Sequence, residues 1–316
     1  MSIVWNDLWP AGSRSAEWSH SGIAVTDSGT VVTAEPGGGG LVLLGPDGTE
    51  PEHIPLPLLE IHGIHYFRGV STEWLWLADP GFKARPALGY DVETRPGAVG
   101  RLDLRSRRFE PVEQPAIADY AESPWQPTSV VTEVDPEPGS RSLYVADGYG
   151  ASLVHLWLGG RYATSLDGTE SGTRFACPHG IVIDSRGHVP TLVVADRGNA
   201  RLVVYSLRGA FIREIRDPLM TTPSSLALRG NDLLVTELDG ALLAVDRDDT
   251  VRPLVVTRSG TDRPGWPNAQ RAGRLVRPDL AARGLNSPHG IAVSQDGRIF
   301  LTEWVIGGRL LELTLP

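Results

Sequence analysis

The fold is decided by a phrase that reads Pro178-His179-Gly180-Ile181-Val182-Ile183-Asp184 and resumes at Leu192-Val193-Val194-Ala195-Asp196-Arg197. It contains a Pro-His-Gly start, a short apolar run, a turn, and a second apolar run that ends in an acid. The phrase returns at 288–303 and, more loosely, at 61–79. Short β-branched runs bounded by turn residues predict strands, so the phrase predicts a strand pair that recurs along the chain.

Alignment of the apolar runs shows that the strand pair occurs six times. The first strands begin at Ser21, His62, Thr128, His179, Ser224 and His289, and the second strands end at Glu35, Asp79, Asp147, Asp196, Glu237 and Glu303. A third apolar run follows each pair, and a fourth follows several of them. Six units of four short strands predict an all-β fold, a six-bladed β-propeller that forms a single domain over residues 1–316. Because the sixth unit shows only three clear strands, we expect residues 3–9 to supply its edge strand and close the ring.

Composition excludes several classes of function. The net charge of −9 and the absence of a Lys/Arg-rich cluster argue against a nucleic-acid partner. No apolar run approaches the roughly 18–20 residues of a membrane helix, and the first residues carry no signal-peptide pattern. The single cysteine, Cys177, rules out an internal disulfide framework and suits a reducing compartment. We therefore expect a cytoplasmic protein, monomeric, without membrane or nucleic-acid partners.

Histidine opens the innermost strand only in blades two, four and six, where it is His62, His179 and His289. Alternate blades of a six-fold ring are about 120° apart, so these side chains are expected to converge on the axis. Three neutral imidazoles with open positions suit a catalytic divalent metal such as zinc. The alternative is that His-Gly belongs to the strand consensus and the rings only pack near the channel. The remaining histidines fall out of phase and are predicted to lie at the surface or in packing: His20, His53, His65, His155 and His188.

The acid that ends each second strand is a feature of the repeat, so a structural role in accepting backbone hydrogen bonds from the following turn is expected. The residue that follows it lies at the channel mouth. Tyr149 could act there as a base if a nearby cation lowers its pKa, and Arg197 suits a carboxylate or an oxyanion; for each of them a structural role is the alternative. The long loops 80–98 and 257–286 are interpreted as lids or rims, or else as disordered segments.

At this point the residues resemble a known family. Ala195-Asp196-Arg197-Gly198-Asn199 with Pro178-His179-Gly180 resembles the NHL repeat, and the set as a whole, over residues 18–314, resembles the core of peptidyl-α-hydroxyglycine α-amidating lyase. The resemblance implies zinc held by His62, His179 and His289. It also implies a catalytic tyrosine in Asp147-Gly148-Tyr149 and an active-site arginine at Arg197.

Two departures from that family concern the site. Glu35-Pro36-Gly37 stands where the family has a second active-site arginine, and Gly290 stands where it has an aspartate for structural calcium, so bound calcium is not expected. The resemblance implies a zinc-dependent lyase that cleaves a C–N bond at a hydroxylated carbon. Its substrate would be a carbinolamide-like small molecule or peptide derivative, split into a carbonyl compound and an amide. The alternatives are another metal-dependent propeller lyase or lactonase acting on a small metabolite, or a non-catalytic NHL platform that binds proteins.

Overall fold

A computed structural model describes residues 3–9, 15–46, 50–69, 72–133, 142–258 and 260–315. Its main strands form six four-stranded antiparallel sheets, which are the blades of the predicted propeller. Blade one contains β2 (Ile23–Val25), β3 (Val31–Ala34), β4 (Gly40–Leu44) and β5 (Glu52–Pro55). Blade two contains β6 (Gly63–Arg68), β7 (Glu73–Asp79), β10 (Ala98–Asp103) and β11 (Phe109–Val112). Blade three contains β12 (Ser129–Thr132), β13 (Leu143–Asp147), β14 (Leu153–Leu158) and β15 (Arg161–Leu166).

The second half of the chain repeats the pattern. Blade four contains β16 (Pro178–Asp184), β17 (Thr191–Asp196), β18 (Arg201–Ser206) and β19 (Phe211–Ile215). Blade five contains β20 (Pro223–Arg229), β21 (Asp232–Glu237), β22 (Ala241–Val245) and β23 (Val251–Val256). Blade six contains β26 (Pro288–Val293), β27 (Ile299–Glu303), β28 (Arg309–Thr314) and β1 (Val4–Asp7). Within the described ranges, four connections contain a short 3-10 helix, at Pro86–Leu88, Ala118–Ala121, Thr169–Ser171 and Arg197–Asn199.

Blade six confirms the predicted closure of the ring. Its edge strand β1 comes from the N-terminal segment and runs antiparallel to β28, with Val4 opposite Thr314 and Trp5 opposite Leu313. The first and last parts of the described chain therefore share one sheet. This pairing covers the edge that β28 would otherwise expose.

The apolar core is divided among the gaps between neighbouring blades. Among the described residues, buried side chains form six clusters, one between each pair of adjacent sheets. Leu75, Leu77 and Leu102 of blade two are fully buried against blade one. Burying an aliphatic side chain of this size contributes about 1.5–3 kcal/mol, so each gap stabilises the ring through several such residues.

The acid that ends each second strand is mainly structural, as predicted. Asp79 accepts the backbone N–H groups of Leu59 and Glu60, which lead into the same blade, and one from the following turn. The prediction placed these bonds in the following turn, whereas most of the donors lie in the segment before the innermost strand. The same arrangement holds for Asp147, Asp196, Glu237 and Glu303. Glu35 is the exception, because its carboxylate pairs with the exposed His53.

The two long loops each contain a hairpin that the sequence did not predict. β8 (Phe82–Ala84) pairs with β9 (Val92–Thr94), and β24 (Ala269–Arg271) pairs with β25 (Arg274–Val276). Both loops join the ring on the side where the innermost strands begin, which is the side of the three histidines. None of the described helices is long and apolar enough to cross a membrane.

Candidate metal centre

The structure brings the three predicted ligands together on the propeller axis. The ring centroids of His62, His179 and His289 lie 4.4–5.1 Å apart, and all three side chains are buried. Each histidine stands at the start of the innermost strand of its blade. The alternation seen in the sequence therefore becomes a three-sided cluster.

Each of these rings is oriented by the neighbouring blade. Nδ1 of His62 donates to the backbone carbonyl of Thr128 at 2.6 Å. The other two rings follow the same rule: Nδ1 of His179 donates to the carbonyl of Ser224 at 2.8 Å, and Nδ1 of His289 donates to that of Ser21 at 3.1 Å. Blades one, three and five thus supply the backbone carbonyls that fix the orientation of the histidine rings of blades two, four and six. A hydrogen bond from the remote nitrogen is the usual support of a metal-bound histidine.

The glycine after each histidine allows this contact. A Cβ at Gly180 would lie 2.4 Å from the carbonyl oxygen of Ser224, and one at Gly63 would lie 2.8 Å from that of Thr128. No side chain could occupy these positions without moving the neighbouring strand. The His-Gly pair therefore has a physical reason, which is close approach of adjacent innermost strands.

The chemistry of the nitrogens fits a cation. Burial lowers the pKa of His289 to about 3 and holds the pKa values of His62 and His179 well below their usual range, so the rings are neutral. Because Nδ1 carries the proton, Nε2 presents a lone pair. Nε2 of His62 and Nε2 of His289 face each other at 2.9 Å. Two lone pairs at that distance repel unless a positive charge lies beside both, so this donor set suits a divalent ion such as zinc.

His20 also belongs to the cluster, which the sequence prediction missed by assigning it to surface or packing. The four histidines each offer a nitrogen within 4.8 Å of the others, and the His20 ring lies 4.5 Å from that of His62. Its backbone N–H donates to Glu60. In contrast to the other three, Nδ1 of His20 has no hydrogen bond among the described residues. His20 could supply a fourth nitrogen, but its orientation is not fixed by a backbone carbonyl.

Tyr149 and Arg197, the two predicted catalytic residues, lie against the cluster. The Tyr149 hydroxyl oxygen is 3.0 Å from Nε2 of His179 and 3.3 Å from Nε2 of His62. The guanidinium of Arg197 lies 3.4 Å from the same hydroxyl and 3.2 Å from the sulfur of Cys177. Burial raises the pKa of Tyr149 to about 12, and the charge of Arg197 opposes that rise.

Aromatic side chains cover this side of the cluster. Phe82, from β8, lies 5.1 Å from the Tyr149 ring, and Trp304 stacks on His20 at 5.1 Å. The first long loop therefore reaches the site, as a lid would. On the opposite side, a cavity of about 320 Å³ is lined by the innermost strands of all six blades and reaches His62.

Comparison with known proteins agrees with this architecture. A family model described as the NHL repeat matches residues 175–205, the phrase with the Pro-His-Gly start. The chain contains an NHL repeat. No curated protein matches it.

The solved structures to which this chain is similar include the following three. A streptogramin B lyase superposes with a TM-score of 0.58 at 12% identity, covering 99% of this chain and 98% of that one. Virginiamycin B lyase from Staphylococcus aureus superposes with a TM-score of 0.57 at 13% identity over 100% of both chains. A structural genomics protein of unknown function from Bacteroides thetaiotaomicron gives 0.64 at 12% identity, covering 98% of this chain and 72% of that chain. At these identities the likeness concerns the fold alone.

Proposed function

We propose that this protein is a metal-dependent lyase that cleaves a C–N bond at a hydroxylated carbon. The observation that carries the proposal is the set of three buried imidazoles, each turned towards the axis by a backbone carbonyl of the next blade. The Tyr149 hydroxyl lies within hydrogen-bonding distance of this set, and the Arg197 guanidinium lies within hydrogen-bonding distance of that hydroxyl. The substrate class follows from the resemblance to the α-amidating lyases: a carbinolamide with an acyl group on nitrogen.

His62, His179 and His289 would hold the metal, with zinc the first candidate. When bound, a divalent ion would supply a Lewis acid that polarises the substrate hydroxyl and favours the phenolate form of Tyr149. Because the three imidazole rings are neutral, they would not reduce the positive charge of the bound metal ion.

Tyr149 would move the proton. The substrate hydroxyl gives its proton to the Tyr149 oxygen, the C–O bond becomes a carbonyl, and the C–N electron pair goes to nitrogen. The nitrogen then takes up one proton, which Tyr149 can return, so no water is consumed. The products are a primary amide and a carbonyl compound. Because Arg197 contacts the Tyr149 hydroxyl, it favours the ionised phenol and can also hold a carboxylate on the departing fragment.

Glu35-Pro36-Gly37, at the position of the family's second arginine, supplies no cation of its own, and the nearby Arg85 is held by the Gly37 carbonyl and by Glu93. Glu35 turns away to His53. Arg197 would therefore anchor a substrate carboxylate without that partner, which suits a small substrate with one anionic end.

The test measures metal content and turnover in the same preparations. We expect about one divalent ion per chain, and conversion of N-acetyl-α-hydroxyglycine to acetamide and glyoxylate in equal amounts. His62→Ala removes one of three ligands and is expected to lose the metal and to lower turnover by more than about 100-fold. Elemental analysis and a glyoxylate assay check both outcomes.

His65→Ala is the matched control. His65 lies in β6, three residues after His62, and burial lowers its pKa to about 4, but it is not part of the histidine cluster. This variant should keep both metal and activity. Full turnover by metal-free protein would reject the proposal, and a folded protein that binds no metal and converts no carbinolamide would favour the protein-binding platform instead.

A further inference from the structure

His20 lies in the histidine cluster without the support that the other three rings have. Each of those rings is fixed by a hydrogen bond from Nδ1 to a backbone carbonyl. The ring of His20 makes two weaker contacts: its Nε2 lies 3.4 Å from the Tyr149 hydroxyl, and its face stacks on Trp304 at 5.1 Å. The first contact is longer than a usual hydrogen bond and the second has no donor or acceptor, so the ring is held less firmly than its neighbours.

His20 is nevertheless close enough to bind the same ion. One nitrogen of each of the four rings lies within 4.8 Å of the others. The centroid of the His20 ring is 4.5 Å from that of His62 and 4.4 Å from that of His289. Two nitrogens of a tetrahedral zinc site, with bonds of 2.0–2.1 Å, lie about 3.4 Å apart. A small movement of the His20 side chain is therefore enough to complete a set of four ligands.

The backbone around His20 is anchored, so this movement concerns the side chain alone. The N–H group of His20 donates to the carboxylate of Glu60. The carbonyl of the next residue, Ser21, accepts the hydrogen bond that fixes the ring of His289. His20 is therefore attached directly to the support of one of the predicted ligands.

Two aromatic side chains confine the ring to the site. The centroid of the His20 ring lies 6.3 Å from that of Phe82 and 5.1 Å from that of Trp304. Phe82 belongs to the hairpin β8–β9, and the residue after it, Lys83, donates to Glu60. Aromatic rings impose no hydrogen bond on a neighbouring imidazole, so they accept more than one orientation of it. The ring can turn and still remain beside the cluster.

The position that His20 approaches is also the one that the substrate needs. The Tyr149 hydroxyl lies 3.0–3.4 Å from Nε2 of three histidines, and His20 is one of them. In the proposed reaction the substrate hydroxyl gives its proton to this oxygen, so it has to lie between Tyr149 and the cluster. Four protein ligands are typical of a structural zinc site, whereas a catalytic site keeps one position open. A fourth histidine is compatible with catalysis only if it can leave.

We propose that His20 is a displaceable fourth ligand of the metal centre, which binds the ion while the site is free of substrate and gives way to the substrate hydroxyl. This rests on the proposed lyase function and deepens it, because it gives the centre two states. The closed state has four histidines and retains the ion, and the open state has three and accepts substrate.

The experiment measures two affinities that a displaceable ligand changes in opposite directions. The affinity for cobalt(II) is measured by competition with a chelator, and azide is titrated into the cobalt(II) form and followed by its visible absorption. If His20 is bound in about nine of ten molecules, its removal weakens cobalt(II) binding about 10-fold and tightens azide binding about 10-fold. Because both changes report the same equilibrium, they should agree in size.

His20→Phe removes both ring nitrogens and keeps an aromatic ring against Trp304, and it is expected to show both changes. His20→Ala, which removes the ring, should show them as well. His65→Phe is the matched control, because it makes the same substitution at a histidine outside the cluster, and it should show neither change. Affinities equal to those of the parent protein in both His20 variants would overturn the inference. A complete loss of cobalt(II) binding in both would also overturn it, because His20 would then be a permanent ligand.

Turnover separates this inference from the lyase proposal, since neither affinity depends on a substrate. Matched changes in the two affinities, in a protein that forms no glyoxylate, would support the displaceable ligand and reject the lyase. Formation of glyoxylate by the parent protein, with unchanged affinities in His20→Phe and His20→Ala, would support the lyase and reject the displaceable ligand.

Discussion

Glu237, the acid that ends the second strand of blade five, lowers the stability of the fold when its buried carboxyl group is ionised. One carboxylate oxygen accepts the backbone N–H groups of Thr221 and Thr222, both at 2.7 Å, while the other has no partner. The side chain is fully buried, and this burial raises its pKa from 4.5 to about 7. The folded state therefore binds a proton more tightly than the unfolded state does. The free energy of unfolding decreases as the pH rises from about 4.5 to about 7 and stays lower above that range.

Glu237→Gln is expected to remove this pH dependence. The amide oxygen can keep both backbone bonds, and no charge has to be buried at high pH. Relative to the parent protein, the variant should gain about 2–3 kcal/mol in free energy of unfolding between pH 5 and pH 8. Urea unfolding at several pH values measures the gain. Glu50→Gln makes the same change at an exposed position and should show no gain; a gain of the same size there would contradict the explanation.

At the residue scale, the sequence predicted those residues of the site that occupy a position of the repeat. His62, His179 and His289 share one position of the blade, so alignment of the six units with one another is enough to find them. His20 precedes that position by one residue, and it reaches the cluster because Glu60 of blade two holds its backbone N–H. That bond joins different blades and leaves no periodic signal. The sequence could have shown only that His20 directly precedes the first position of blade one.

At the scale of elements, the hairpin β8–β9 is tied to the site by a buried ion pair. Lys83, in β8, donates to Glu60 at 2.6 Å and to the backbone carbonyl of Trp18 at 3.1 Å. Both side chains of the pair are essentially inaccessible to solvent. Since Glu60 also holds the N–H of His20, one pair joins the loop to the segment that carries His20 and Trp18. The sequence allowed this loop to be a lid, a rim or a disordered segment, because a pair of three-residue strands is too short to show a period.

Lys83→Met should be strongly destabilising because it leaves Glu60 buried without its cation. We expect a loss of about 3–5 kcal/mol in free energy of unfolding at pH 8. The loss should be smaller at pH 5.5: burial already raises the pKa of Glu60, and without Lys83 the carboxyl would be protonated there. Lys83→Met combined with Glu60→Gln should recover much of the stability, measured by urea unfolding. A double variant as unstable as the single one would show that the lysine acts by packing and not through charge.

At the scale of the whole molecule, apolar clusters lie in all six gaps between neighbouring blades and hold the described ring together. The repeat predicted six blades because each unit carries the same strand pattern, and the weakness of the sixth unit predicted its completion by the N-terminal segment. The sequence could not show how closely the first long loop covers the site, because the contact of Phe82 with Tyr149 depends on the path of a loop without a period. The order of the strands follows from the local sequence pattern, whereas the way in which loops cover the site follows from contacts between segments that are distant in the sequence.

A variant that begins at Trp9 tests the closure. It lacks β1, so the edge of β28 and part of the apolar cluster that includes Trp5 become exposed. We expect a lower unfolding temperature and concentration-dependent association, since an uncovered strand edge pairs with other chains. Calorimetry and light scattering after size exclusion measure the two effects. Val4→Lys, at a position of β1 that is 54% exposed, keeps the strand and should leave both properties unchanged. If the truncated protein stays monomeric and equally stable, β1 is a passive addition and the ring is held by the other twenty-three blade strands alone.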